Sequence, residues 1–158
     1  MLIGIISDTH TRPLPQDCIA RLETTELILH AGDFADAETL AAIRAIGPPV
    51  KAVHGNVDDS DIRRTLPGEL LVKAGAATFA ILHDAGPRAN RLARMRKHFP
   101  KANAVVFGHS HIPLHEHEDG FHVFNPGSPT DRRSQPVHTM GLATVGHGTI
   151  AFEIVELP

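Results

Sequence analysis

The chain has 158 residues, of which 42% are hydrophobic and 21% are charged, and its formal net charge is −3. These values are typical of one globular domain, and the negative charge argues against a protein that wraps nucleic acid electrostatically. No run approaches the roughly 20 apolar residues of a membrane span, and a single cysteine excludes an internal disulfide. We therefore expect one domain over residues 1–158 and a small-molecule partner.

Short apolar runs alternate with longer amphipathic segments along the first two thirds of the chain. The apolar runs predict buried strands at 2–6, 26–30, 50–54, 77–83 and 103–108. The segments between them predict helices at 14–25, 36–47 and 88–99. After residue 112, short β-rich runs separated by turns predict an antiparallel region. The alternation predicts an α/β fold.

The first ten residues predict where the protein is located. They read MLIGIISDTH and contain no basic n-region, long apolar h-region or cleavage site. This favours the cytoplasm over secretion, and the lone cysteine agrees with a reducing compartment.

Metal-ligand side chains follow all five predicted strands. In an open α/β sheet the carboxyl ends of the strands face one crevice, so we expect these side chains to converge there. Asp8 and His10 are separated by one residue, as are His109 and His111. In an extended segment this spacing places both side chains of a pair on the same side. The candidate ligands are Asp8, His10, Asp33, Asn56, His83, His109 and His111.

Several of these residues have an ordinary interpretation when taken singly. His10 and His83 fit buried, hydrogen-bonded histidines, Asp33 fits a helix cap, and Asn56 fits a turn. Only the whole set favours metal binding. Other histidines stand in polar or turn-like contexts and are interpreted as surface residues without a role; they are His115, His117, His122, His138 and His147.

The donor types restrict the kind of metal site. Two carboxylates, one amide oxygen and four imidazoles exclude a thiolate zinc finger and suit Mn, Fe, Zn, Ni or Co with open positions. Seven donors are too many for one ion with a free site. Shared between two ions about 3.5–4 Å apart, with one carboxylate bridging, they leave room for a bridging hydroxide.

The blocks SDTH, HAGDF, HGNVD, LHD and VFGHSH, in this order, resemble the calcineurin-like metallophosphoesterase superfamily. Chain length and the GNVD and NPGS blocks are similar to its small single-domain bacterial and archaeal phosphodiesterases of the YfcE type. The resemblance implies a four-layer α/β/β/α sandwich with two mixed sheets and a dimetal site at their edge. It also implies that one metal is held by Asp8, His10 and His111, that the second is held by Asn56, His83 and His109, and that Asp33 bridges them.

The resemblance also implies an activity, which is phosphodiester hydrolysis by in-line attack of a metal-bridging hydroxide, with Asp33 and Asn56 in catalytic positions. We expect two divalent ions, with Mn²⁺ favoured over Ni²⁺, Zn²⁺, Fe²⁺, Co²⁺ and Mg²⁺. GNVD replaces the GNHE of many members, whose histidine is thought to protonate the leaving group, and Asp58 is a candidate substitute. A second departure is HDAG after His83, where HGH is common.

Substrate contacts are less clearly marked in the sequence. Arg12, Arg132 and Arg133 are candidates for binding phosphate, although solvated surface arginines fit equally well. Two other functions remain open: an inactive scaffold, as in the small retromer subunit that resembles this fold, and a phosphomonoesterase. A homodimer or homotetramer is expected, without a membrane or a stable nucleic-acid partner.

Overall fold

Two mixed five-stranded sheets lie at the centre of the protein in the computed structural model, which describes residues 1–158. The first sheet contains β1 (Leu2–Ile6), β2 (Leu27–His30), β3 (Val50–Ala52), β9 (His138–Gly146) and β10 (Thr149–Leu157). Its order is β10-β9-β1-β2-β3. Strands β1, β2 and β3 are parallel, whereas β9 runs antiparallel to both of its neighbours.

The second sheet contains β4 (Glu69–Ala74), β5 (Ala77–Leu82), β6 (Ala104–Val106), β7 (Leu114–Glu118) and β8 (Phe121–Asn125). Its order is β4-β5-β6-β8-β7, with β5, β6 and β8 parallel and the two outer strands antiparallel. The C-terminal region is thus made of two antiparallel hairpins, β7–β8 and β9–β10, although β8 also joins the parallel part of its sheet.

The helices are α1 (Gln16–Glu23), α2 (Ala37–Arg44), α3 (Ser60–Thr65) and α4 (Arg91–His98). One apolar core lies between the sheets and includes Phe79 and Phe124. A second core joins α1, α2 and α3 to the first sheet, and a third joins α4 to the second sheet. The arrangement confirms the predicted four-layer sandwich. None of the helices is long and apolar enough to cross a membrane.

Every strand and helix predicted before residue 112 is present, β1 with the predicted bounds and the others with shorter ends, and two further elements lie at 60–74. Helix α3 has six residues, fewer than a helical repeat needs to be recognised in a sequence. Strand β4 is an edge strand with charged residues on its exposed face, so it lacks the continuous apolar run of the buried strands.

Two of the three histidines of the β7–β8 hairpin are less exposed than their polar sequence context predicts. His115 and His122 are half-buried, whereas His117 is exposed. The ring of Phe152, from β10, lies 5.1 Å from the ring of His115 and 5.3 Å from that of His122, centroid to centroid. The interpretation of His115 and His122 as plain surface residues was therefore wrong, because β10 covers this face of the hairpin.

Candidate metal centre

The seven predicted ligands come together where the carboxyl ends of strands from both sheets meet. The backbone N–H of His109, after β6, donates to Oδ2 of Asp8, after β1, at 3.0 Å. The N–H of Gly108 donates to the carbonyl of His83, after β5, at 2.9 Å. The first bond joins loops of the two sheets and the second joins neighbouring loops of the second sheet, so residues up to 101 positions apart share one site.

One group of ligands contains Asp8, His10 and His111. Their ligand atoms lie within 4.8 Å of one another, and the rings of the two histidines are 5.4 Å apart, centroid to centroid. Asp8 and His111 are fully buried, and Nε2 of His111 lies 3.4 Å from Oδ1 of Asp8. The first predicted set of ligands is therefore grouped in space.

A second group contains Asn56, His83 and His109. Oδ1 of Asn56 lies 2.9 Å from Nε2 of His83 and 3.1 Å from Nδ1 of His109. Two donors at right angles on one ion, each about 2.1 Å from it, are about 3 Å apart. The spacing of these atoms therefore matches ligands of a common ion.

Asp33 lies between the groups, and its Oδ2 is 3.2 Å from Nε2 of His83. The N–H of Val57 donates to the other oxygen of Asp33 at 3.0 Å. Asp8, Asp33 and His83 also have their ligand atoms within 4.8 Å of one another. Asp8 thus belongs to both clusters of ionisable ligands, and the carboxylates of Asp8 and Asp33 both lie within 4 Å of Nε2 of His83.

The hydrogen bonds of the histidines fit cation binding. Nδ1 of His83 donates to the carbonyl of Ala31 at 2.8 Å, so in the neutral ring Nε2 carries no proton. That atom faces oxygens of Asn56, Asp33 and Asp8, which are all acceptors. Only a proton or a metal ion satisfies such a set. The buried Nε2 atoms of His10 and His111 have no hydrogen-bond partner at all.

The ionisation of the carboxylates and of His83 gives the same indication. Burial raises the pKa of Asp8 to about 6, because desolvation disfavours its charged form. Burial also acts against charge on His83, but the hydrogen bond with Asp33 and the charges of Asp8 and Asp33 outweigh it and raise the pKa of His83. A divalent cation would replace that proton and compensate the buried negative charge.

The ligand loops have a strained backbone. A positive φ is uncommon outside glycine and is held only where the surrounding fold enforces it, most often at functional sites. Half of the non-glycine residues with positive φ in this protein are candidate ligands. They are Asp8 (57°), His10 (49°), Asp33 (64°), His109 (71°) and His111 (59°).

Two glycines allow the ligand loops to approach each other. A Cβ at Gly108 would overlap Oγ of Ser7 and lie 2.6 Å from Oδ2 of Asp8. A Cβ at Gly55 would overlap Oδ1 of Asp33. These positions therefore require the absence of a side chain.

Sequence reasoning missed residues that hold the ligands in place. Oγ of Ser128 donates to the carbonyl of Asp8 at 2.9 Å, and Nδ2 of Asn125 donates to that of Gly108 at 3.0 Å. Both lie in the NPGS block, which was noted only for its resemblance. His30 lies beneath the site, 3.0 Å from Oγ1 of Thr9, and burial lowers its pKa to about 3. Its position within LILHAGDF was the available signal.

Asp58 has a role different from the predicted proton donor. Its carboxylate accepts hydrogen bonds from the backbone N–H groups of Asp33 at 3.0 Å, Ala35 at 2.7 Å and Gly55 at 2.6 Å. It is buried, and both of its oxygens accept hydrogen bonds from the backbone. These contacts replace the proton-donor prediction with a positioning role, in which Asp58 ties the Asp33 loop to the Asn56 loop.

The three candidate arginines lie at different distances from the ligands. Arg133 is exposed, and its Nη1 donates to the carbonyl of His109 at 3.5 Å. Arg12 donates to the carbonyl of Thr130, in the loop that supports Asp8, at 3.0 Å. Arg132 contacts Gln135 within its own turn. The structure therefore brings Arg133 and Arg12 close to the site, while Arg132 makes no contact with a ligand.

Comparison with known proteins identifies the family of the chain. Residues 1–148 match the model of the calcineurin-like phosphoesterase superfamily domain. The chain is 31% identical over 137 residues to a probable metallophosphoesterase of Methanocaldococcus jannaschii, covering 82% of this chain and 69% of that protein.

Solved structures share the fold at low sequence identity. A Vps29 from Entamoeba histolytica complexed with Zn²⁺ is 23% identical with a TM-score of 0.76, and 99% of both chains is covered. A structure described as a novel archaeal phosphodiesterase is 23% identical with a TM-score of 0.77, covering 98% of this chain and all of that one. The family match extends over nearly the whole chain and includes all seven ligand positions, and on this basis the chain belongs to the calcineurin-like phosphoesterase superfamily.

Proposed function

We propose that this protein is a phosphodiesterase that uses two divalent metal ions, with Mn²⁺ as the favoured ion. The observation that supports the proposal is the complete donor set. The side chain of Asn56 contacts those of His83 and His109. Asp8, His10 and His111 form the neighbouring group. When bound, two divalent cations lower the pKa of water and neutralise the oxygens of the phosphoryl group.

The burial of the ligands supports a direction of substrate approach. Asn56 and His109 are exposed, whereas Asp8 and His111 are buried. A phosphoryl group therefore reaches the donor set from the side of Asn56 and His109. The exposed guanidinium of Arg133, which contacts the backbone of His109, is placed to bind a phosphate oxygen on that side.

A groove beside the ligands gives room for the second ester substituent of a diester. It has a volume of about 290 Å³ and is lined by Asn56, His83, Arg63 and Asp84, among others. A second ester substituent of the substrate can occupy this groove while the phosphorus lies at the ligands. Asp58 does not take the place of the histidine of GNHE, because its carboxylate is engaged by backbone N–H groups. We therefore expect activated leaving groups to be cleaved best.

The names of similar proteins support the proposal. The relative from Methanocaldococcus is named a probable metallophosphoesterase, and the archaeal structure is described as a phosphodiesterase. The likeness to Vps29 supports a second candidate, a scaffold on the same fold, and zinc was bound to the Entamoeba protein. Metal binding alone therefore does not separate an enzyme from a scaffold, and turnover must be measured.

The experiment compares hydrolysis of bis-p-nitrophenyl phosphate and p-nitrophenyl phosphate by chelator-stripped protein with and without Mn²⁺. We expect turnover that depends on Mn²⁺ and a higher kcat/KM for the diester. A preference for the monoester would identify a phosphomonoesterase instead. A folded protein without turnover in Mn²⁺, Ni²⁺, Co²⁺ or Zn²⁺ would contradict the proposal and support the scaffold.

A further inference from the structure

Three histidines of the β7–β8 hairpin form a cluster that the metal centre does not use. His117 on β7 stands directly opposite His122 on β8, and His115 lies two residues before His117 on the same strand. Since alternate residues of a strand share a face and opposed residues of a pair are neighbours, the three imidazoles lie on one side of the hairpin.

The three rings are almost equally spaced. The centroid of His115 lies 5.3 Å from that of His117 and 5.3 Å from that of His122, and the remaining separation is 5.6 Å. An imidazole nitrogen binds zinc at about 2.1 Å, which places ring centroids of a tetrahedral or trigonal set about 5–5.5 Å apart. The spacing of the rings is therefore that of three imidazole ligands, although their nitrogen atoms do not all lie within 4.8 Å of one another and one ring must turn to complete the set.

Two of the nitrogen atoms are already at ligand spacing. Nε2 of His115 and Nδ1 of His122 are hydrogen-bonded at 3.0 Å, and an ion would take the place of the shared proton, since two donors on one ion are separated by about 3 Å. The third ring belongs to the exposed His117, which is free to rotate about its side-chain bonds and bring a nitrogen to this pair.

The surroundings of the pair favour a metal ion over protons. Burial, followed by the neighbouring imidazoles, lowers the pKa of both His115 and His122. The rings are therefore neutral at pH 7, which is the form that binds a metal. Phe152 covers one side of the pair, while the side at His117 is open to solvent.

We propose that His115, His117 and His122 form a separate mononuclear site for a late first-row divalent ion, with Zn²⁺, Cu²⁺ or Ni²⁺ as the class that prefers imidazole donors. Three protein ligands leave one position for water on the solvent side. The ion would link β7 to β8 at the edge of the second sheet, away from the candidate metal centre.

The test measures zinc content by equilibrium dialysis of chelator-stripped wild type, His117→Gln and a control, His147→Asn. His117 is exposed, so its replacement leaves the fold intact, and His147 is an exposed turn residue whose left-handed backbone asparagine tolerates. We expect wild type and His147→Asn to bind one zinc ion per chain more than His117→Gln. Equal zinc content in all three proteins would overturn the proposal.

A second readout locates the ion. Zinc titration followed by the NMR signals of the imidazole nitrogens should shift His115, His117 and His122 in wild type, and should leave His115 and His122 nearly unshifted in His117→Gln. Shifts confined to the ligands of the candidate metal centre would overturn the proposal. Neither readout depends on phosphodiester hydrolysis, so an inactive protein that binds the additional zinc supports this inference and contradicts the proposed function.

Discussion

The carboxylate of Asp58 accepts a hydrogen bond of 3.0 Å from the backbone N–H of Asp33. Asp33 is a candidate metal ligand, and its backbone is left-handed. The carboxylate of Asp58 also accepts from Gly55, the residue before Asn56. One buried side chain therefore holds two ligand loops in register. Contacts of this kind, one step removed from a metal, usually change metal affinity 10–100-fold when they are lost.

Replacing Asp58 with asparagine should weaken metal binding about tenfold or more, because the amide NH₂ group would face backbone N–H donors. We expect cleavage of bis-p-nitrophenyl phosphate to fall with the metal affinity and to recover partly at high Mn²⁺. The measurement is a Mn²⁺ titration of activity for wild type and Asp58→Asn. Asp61→Asn, at an exposed acidic residue of α3, is the matched control.

The contrasting outcome identifies a proton donor. If Asp58→Asn bound Mn²⁺ as wild type does, kept its rate with the good p-nitrophenolate leaving group, and lost activity only with alkyl leaving groups, the positioning role would be wrong.

Removing a central ligand should abolish hydrolysis. Asp33→Ala and His83→Ala each remove an atom of the contact between Oδ2 of Asp33 and Nε2 of His83, and we expect kcat/KM to fall about 1000-fold or more. His138→Ala, in β9, should be nearly silent. Circular dichroism establishes that each variant is folded. Wild-type rates from either ligand variant would refute the assignment of the dimetal centre.

Gly55→Ala tests the close approach of the ligand loops. The added methyl group would overlap Oδ1 of Asp33, so we expect a loss of about 1–3 kcal/mol in the free energy of unfolding, with reduced metal affinity. Gly146→Ala is the matched control, because nothing lies within 4 Å of the Cβ it would add. Urea denaturation of both variants without metal measures the difference. Equal midpoints would show that the loop moves aside at no cost.

The stability of the protein in acid should depend on His30. Burial lowers the pKa of His30 to about 3 in the folded chain, from 6.5 when unfolded, so between these values only the unfolded chain takes up the proton. Stability from this residue is therefore complete above pH 6.5 and is lost as the pH falls. From pH 7 to pH 5 the loss should be about 2 kcal/mol.

The measurement compares metal-free wild type with His30→Gln by urea denaturation at both pH values. Other groups, such as Asp8, titrate in both proteins, so the difference between the two proteins isolates His30. We expect the wild type to lose more stability than the variant on acidification. Parallel pH dependence in the two proteins would mean that His30 is protonated in the folded state.

The sequence by itself determined the α/β class and singled out the seven candidate donors. Both are local properties: a buried strand is a short apolar run, and each ligand directly follows such a run or lies within a few residues of it. The elements that the sequence did not indicate, α3 and β4, are a six-residue helix and a half-exposed edge strand, whose patterns are too short or too mixed to recognise.

Only the tertiary structure decided what the supporting residues do. Asp58 was a candidate proton donor until three backbone N–H groups were found on its carboxylate. The hydroxyl of Ser128 donates to the carbonyl of Asp8, a residue 120 positions away in the sequence. No local sequence pattern predicts a hydrogen bond over that separation. His115 and His122 likewise became a half-buried cluster because β10 passes over them. The burial and the hydrogen bonds of a side chain depend on which segments of the chain pack against it. The packing of the two sheets determines those contacts.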